Sequence, residues 1–222
     1  MQQESGKILN KLTKNKYMKS YRINTGFYLL IILFISNNIW AQKNNYSFFK
    51  ADTLQSTILW KCDKHDGKIN LSKGGFVTSE KQIEAGLFYI DMRSIKDLDM
   101  DTKTYGTAVL ILDNTLKNDF FNIKKYPSAN FKIVNIEKIT TNKYKVTGDL
   151  NLHGVTNCLA FDASVLIKKN EIIMSSDNIV LDRTDWGIYR MSPQRPYSDD
   201  ENGWTVPDKI EIKIKIIAKK ES

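Results

Sequence analysis

The chain has 222 residues, 41% apolar and 26% charged, and a formal net charge of +8. That apolar share excludes a wholly disordered chain, and four prolines with eleven glycines exclude a collagen-like one. Two cysteines exclude a disulfide-dense scaffold, and with two histidines they supply few soft metal ligands.

Residues 1–41 read as a leader. Lys19 and Arg22 precede an unbroken apolar run, Phe27 to Ile35, and a polar Ser36-Asn37-Asn38 follows it. The small Ala41 before Gln42 predicts cleavage there, so this is a secretory signal peptide. The run is far shorter than the ~20 residues that span a bilayer, which disfavours an uncleaved anchor. Met18 opens a leader of ordinary length, and the polar stretch 1–17 adds nothing a signal peptide needs, so Met18 is the expected start. Cleavage would remove six basic residues and one acid, leaving 27 basic against 24 acidic residues, a balance of +3. Most of the basicity is therefore leader, and no basic stripe remains to support nucleic-acid binding.

The mature part, 42–222, is expected to be one domain, periplasmic or secreted. Its dominant pattern has period two. In chain order, β-rich runs occur at 57–62, 66–77, 82–92 and 129–139. Between the last two, 113–126 predicts a short helical insert capped by Asp113 or Asn114. Next, Tyr144, Val146, Leu150 and Leu152 share one strand face opposite Lys145, Thr147, Asp149 and Asn151. From 157 to 167, Leu159, Phe161, Ala163, Val165 and Ile167 alternate with Cys158, Asp162 and Ser164. After a run at 171–182, the stretch 183–208 reads as a long loop holding three of the four prolines. The last strand is the clearest: Ile210, Ile212, Ile214 and Ile216 oppose Lys209, Glu211, Lys213 and Lys215.

Eight strands separated by short turns predict an all-β fold, an eight-stranded antiparallel barrel, since closure removes exposed strand edges. A two-sheet sandwich is the alternative. An outer-membrane barrel shares the alternation, but the chain ends in Lys-Lys-Glu-Ser, its insert is internal, and no paired aromatic girdles are visible.

Five ordered segments carry a family resemblance: Ser56-Thr57-Ile58-Leu59-Trp60, Asp91-Met92-Arg93-Ser94-Ile95, Leu116 to Phe121 followed by Lys125 to Phe131, Gly148 to Thr156, and Asp182 to Ile188. From about Asp52 to Ala218 the chain resembles the YceI-like family. The resemblance implies a lipocalin-like barrel with an apolar tunnel, in an exported protein that holds a long isoprenoid chain such as a polyisoprenoid or quinone tail. It implies no other cofactor. The expected partner is that apolar lipid, with no nucleic acid and no integral membrane span after cleavage.

The candidate lining of the tunnel is Trp60, Leu87, Tyr89, Phe131, Tyr144, Val146, Leu150, Leu152, Leu159, Phe161, Val165, Ile210, Ile212 and Ile214. The inward face is firm for 157–167 and 209–219, whereas both faces are apolar at 82–92 and 129–139. No catalytic residue and no metal ligand set is expected. His65 and His153 have no partners at ligand spacing, and His153 reads as a turn residue before Gly154. Asp182, Arg183 and Asp185 read as an ion-paired corner beside a plugging Trp186 rather than as an acid–base pair. Phe120 and Phe121 are expected to send one ring into the barrel and the other to its rim, near Tyr126. Cys62 and Cys158 fall on opposite strand faces and are expected to be free thiols. Two other functional classes stand beside the lipid carrier: a packed barrel serving as a structural protein, and an enzyme acting on a lipid.

Overall fold

The computed structural model describes residues 45–80, 82–195 and 203–221. The leader expected at 1–41 lies outside them. Ten strands form one antiparallel sheet: β1 (Tyr46–Ala51), β2 (Thr57–Cys62), β3 (His65–Ser79), β4 (Gln82–Asp97), β5 (Ser128–Lys138), β6 (Lys143–Leu152), β7 (Val155–Ile167), β8 (Glu171–Ser176), β9 (Ile179–Asp182) and β10 (Lys209–Lys220). Each strand pairs with its successor from β2 to β8. Strand β10 then pairs with β8 and β9 on one side and with β2 and β1 on the other, so the sheet closes into a ring.

The ten strands occupy eight positions in that ring, because β1 continues into β2 and β9 continues β8. Both interruptions are patched against β10 by a serine hydroxyl. Ser56 Oγ accepts the Ile217 N–H at 3.1 Å, and Ser176 Oγ accepts the Ile214 N–H at 2.9 Å. Each hydroxyl replaces a ladder bond, so β10 keeps its backbone satisfied where its neighbour breaks. The run expected at 171–182 is thus two strands, and β1 is an addition to the eight predicted.

The alternation in β10 turns Ile210, Ile212, Ile214 and Ile216 inward and Lys209, Glu211, Lys213 and Lys215 outward. Charged outer positions on such a strand oppose the lipid-facing arrangement of an outer-membrane barrel. No helix among the described residues is long and apolar enough to cross a membrane. Strand β4 runs five residues past its predicted end, to Asp97, through a bulge. There the Ser94 hydroxyl donates to Asp91 O at 2.6 Å and accepts the Asn70 N–H at 2.8 Å. The bulge lets both Met92 and Ile95 point inward.

Two of the hairpins are tight. Asp63-Lys64 joins β2 to β3, and His153-Gly154 joins β6 to β7. His153 and Gly154 both have positive φ, the requirement of a type I′ turn. A Cβ on Gly154 would stand 2.6 Å from the Tyr126 ring.

The helical insert begins earlier than expected. It comprises α1 (Thr102–Tyr105), α2 (Thr107–Thr115) and a π-turn over Leu116–Phe120. Asp101 caps α1, accepting from the N–H groups of Lys103 and Thr104 at 2.9 Å each, and α2 starts at Gly106 without a side-chain cap. Asp113 and Asn114, the two predicted caps, lie inside α2, where Asp113 accepts the Asp97 N–H at 3.0 Å and fastens the helix to β4.

Candidate functional site: an apolar tunnel

Inside the ring are two apolar clusters. One, around Phe76, Val146, Ala163, Val165, Ile172 and Ala218, is packed. The other, around Trp60, Ile69, Met92, Ile95, Leu150, Leu152 and Leu181, lies toward the helical insert. Ile90, Phe131, Leu159 and Ile212 touch both and are only half-buried, although they point inward. Their incomplete burial has a simple cause: they face a cavity of about 460 Å³. That volume lies within the roughly 300–1,000 Å³ typical of small-molecule sites.

The same logic explains the gradient along β10. Ile210, Ile212 and Ile214 are half-buried along the cavity, Ile216 is buried but still borders it, and Ala218 is buried in the packed cluster beyond. The cavity reaches the surface where Asp63 and Trp204 are exposed. Other residues of this mouth are Cys62, His65, Thr115, Arg183, Met191 and Val206.

Of the candidate lining residues, nine border the cavity: Trp60, Phe131, Leu150, Leu152, Leu159, Phe161, Ile210, Ile212 and Ile214. The other five lie elsewhere. Val146 and Val165 are inward but sit in the packed cluster, and Tyr144 packs against it. Leu87 and Tyr89 stand on the opposite face of β4, where Leu87 is 39% exposed and the Lys73 ammonium lies 4.7 Å over the Tyr89 ring. That strand lines the cavity with Phe88, Ile90, Met92 and Ile95 instead. Both faces of 82–92 are apolar, so alternation alone had no way to choose between them.

The helical insert supplies lining that periodicity missed: Leu112, Leu116, Phe120 and Phe121. Both phenylalanines border the cavity, so neither is a mere rim contact. His153 is a turn residue, and the Tyr126 ring packs against its imidazole at a tilt, with centroids 4.4 Å apart. Burial holds the His153 imidazole below its usual pKa, with Lys125 adding to the effect. Trp60 borders the cavity with its buried indole N–H lacking an acceptor. Its ring has room only because residue 67 is glycine; a Cβ there would come within 2.5 Å of the indole. Cys62 and Cys158 are free thiols, one half-buried and one exposed, and burial pushes the Cys62 thiol above its usual pKa.

The acidic corner differs from its expected form. Asp182 caps a 3-10 turn (Arg183–Trp186), accepting from Thr184 N at 3.0 Å and Thr184 Oγ1 at 2.6 Å. Asp185 is exposed. Arg183 turns away from both. It is 1% exposed and donates to the carbonyls of Pro207, Ile188, Arg190 and Val206 at 3.1, 2.7, 2.8 and 2.9 Å. Asp208 Oδ1 lies 3.0 Å from Nη2, an ion pair without hydrogen-bond alignment. One buried cation thus ties residues 188–190 to residues 206–208 and lies 5.4 Å over the Phe120 ring. Trp186 is buried beside it, its N–H donating to Leu150 O at 2.9 Å, and does not border the cavity.

At the same mouth, the fold brings Asp97 and Asp99 to His65, a grouping with no local spacing to betray it. His65 Nδ1 lies 3.5 Å from Asp97 Oδ2 and 3.3 Å from Asp99 Oδ1. Burial, then the neighbouring Asp99 carboxyl, pushes Asp97 up to about 6.

The model of the YceI-like domain family matches residues 48–218. A UPF0312 protein of Photorhabdus laumondii is 44% identical over 48 residues, 22% of this chain and 24% of that protein. A UPF0312 protein of Pseudomonas putida is 41% identical over 46 residues, 21% of this chain and 24% of its own. The chain therefore matches about a quarter of the length of these curated relatives. Among solved structures, Burkholderia cenocepacia BcnA superposes with a TM-score of 0.59 at 18% identity, covering 75% of this chain and 98% of that one. A polyisoprenoid binding domain from Saccharophagus degradans, implicated in plant cell wall breakdown, gives 0.53 at 12% identity, covering 80% and 99%. These likenesses agree with the closed antiparallel ring, and the family match spans nearly all of it: the chain belongs to the YceI-like family.

Proposed function

We propose that this is an exported, non-enzymatic carrier that holds one long isoprenoid-type chain, a polyisoprenoid or a quinone tail, in the barrel lumen. The observation that carries the reading is the cavity of about 460 Å³, whose walls are almost wholly apolar side chains. Burying each ligand methylene gains about 0.8 kcal/mol, so an apolar chain binds there without a polar anchor. Selection is then for length and apolarity, with the head group at the mouth. The polyisoprenoid-binding neighbour and the secretory pattern of residues 1–41 support the same reading.

Mass spectrometry of an organic extract of the purified protein tests it. The expected result is a stoichiometric isoprenoid lipid. Protein that never carries an apolar ligand, even after incubation with polyprenols or quinones, would overturn the reading in favour of a barrel acting through its surface. N-terminal sequencing of the exported protein should begin at Gln42.

A further inference from the structure

We propose that His65, Asp97 and Asp99 form a binding site for a divalent first-row metal cation at the rim of the tunnel. The site is built from two stretches of backbone that are distant in sequence. The two-residue turn after Cys62 places His65 at the start of β3, where it pairs with Cys62. The end of β4 supplies Asp97, and the bend before α1 supplies Asp99. The three ligand atoms lie within 4.8 Å of one another.

Asp97 is the informative member. Its side chain is 0% exposed. Oδ1 accepts the Met100 N–H at 2.9 Å, and the Asp97 N–H donates to Asp113, so the residue is held from two sides. Oδ2 has no hydrogen-bond donor and faces His65. A buried carboxylate oxygen left without a donor is costly. The imidazole does not solve the problem, because Nδ1 carries at most one proton and faces two carboxylate oxygens. Its distances to them, 3.3 and 3.5 Å, are long for charge-assisted hydrogen bonds.

One cation answers all three groups. In a tetrahedral site with bonds of about 2.0–2.1 Å to imidazole nitrogen and carboxylate oxygen, neighbouring ligand atoms stand about 3.4 Å apart. The two His65 distances match that edge. An imidazole with two carboxylates suits zinc and its neighbours, and leaves a fourth position for water or another oxygen. His65 also borders the cavity, which places the site beside the mouth. Side-chain exposures of 40% for His65 and 27% for Asp99 leave a path for the ion from solvent. Binding takes the carboxylate oxygens and one ring-nitrogen lone pair as ligands.

The probe is Zn²⁺ alone, added to chelator-treated protein bearing Cys62→Ser and Cys158→Ser so that thiols do not compete. Calorimetry should show one saturable equivalent, and zinc should raise the melting temperature. His65→Ala and Asp99→Asn should each weaken binding at least tenfold and abolish the thermal shift. Both side chains are partly exposed, so these variants should keep the metal-free melting temperature, which separates lost binding from lost fold. No saturable binding below about 1 mM zinc, or binding that both variants leave intact, would overturn the proposal. The site does not depend on the lipid reading: extraction tests the lumen and calorimetry tests the rim.

Discussion

Arg183→Met removes the cation that holds residues 188–190 to residues 206–208 while keeping an unbranched apolar side chain in its place. The wild-type guanidinium is 1% exposed, with four carbonyl acceptors and the Asp208 carboxylate around it. Asp208 has a side-chain exposure of only 12% and would keep Ser192 and Gln194 as donors to Oδ2, but no counter-ion. Removing one partner of a buried pair typically destabilises by about 3–5 kcal/mol. The four carbonyls add less than their number implies, because a loosened loop lets water reach them. For a domain of this size each kcal/mol lowers the melting temperature by about 2–4 °C, so a fall of roughly 10 °C is expected. Urea and thermal unfolding measure it. The double variant Arg183→Met/Asp208→Asn leaves no unpaired charge and should recover part of the loss. A single variant within about 1 kcal/mol of wild type would refute the electrostatic account, as would a double variant with no recovery.

Leu159→Trp pushes an indole into the cavity and should lower extractable lipid with little change in melting temperature. Val165→Trp, in the packed cluster, should instead lose about 1–3 kcal/mol through overpacking; equal effects on lipid and stability at both positions would refute the assigned boundary between cavity and core. His153 is held neutral by burial, so its folded pKa lies below the unfolded value near 6.5. Its contribution is complete above the unfolded value and is lost as pH falls from there through the lower folded value. His153→Asn keeps a residue that tolerates positive φ before Gly154, and should flatten the acid limb of a stability–pH curve measured between pH 7 and pH 4.

The strand content was legible because the alternation is strong where one face is buried and the other wet. Strands β7 and β10 are the clearest cases, and their inward faces are those expected. The breaks were not legible. Ser56 and Ser176 are ordinary polar residues in sequence, and their role in patching β10 exists only once the ring has closed. The helix position was missed for a local reason. Asp101 and Asp113 are both competent caps by type, and Gly106 interrupts the run between them, so capping chemistry alone did not rank them. In the fold Asp101 caps α1, while Asp113 lies within α2 and accepts the Asp97 N–H.

For the site, the limit was of another kind. Nine lining residues were reachable from strand faces, but periodicity reports which face is apolar and not how far along the barrel the packing stops. Val146 and Val165 share faces with true lining residues yet sit where opposing walls meet. Only half-burial of inward residues marks the empty length, and that is a property of eight strand positions together. The polar rim was further from reach still. His65 and Asp99 are 34 residues apart, and Arg183 answers Asp208 rather than the nearer Asp182 or Asp185. Charged residues at the end of a closed barrel meet through the hairpins and loops that rim it. A charged residue on such a rim therefore finds its partner by its place around the ring, not by its distance along the chain.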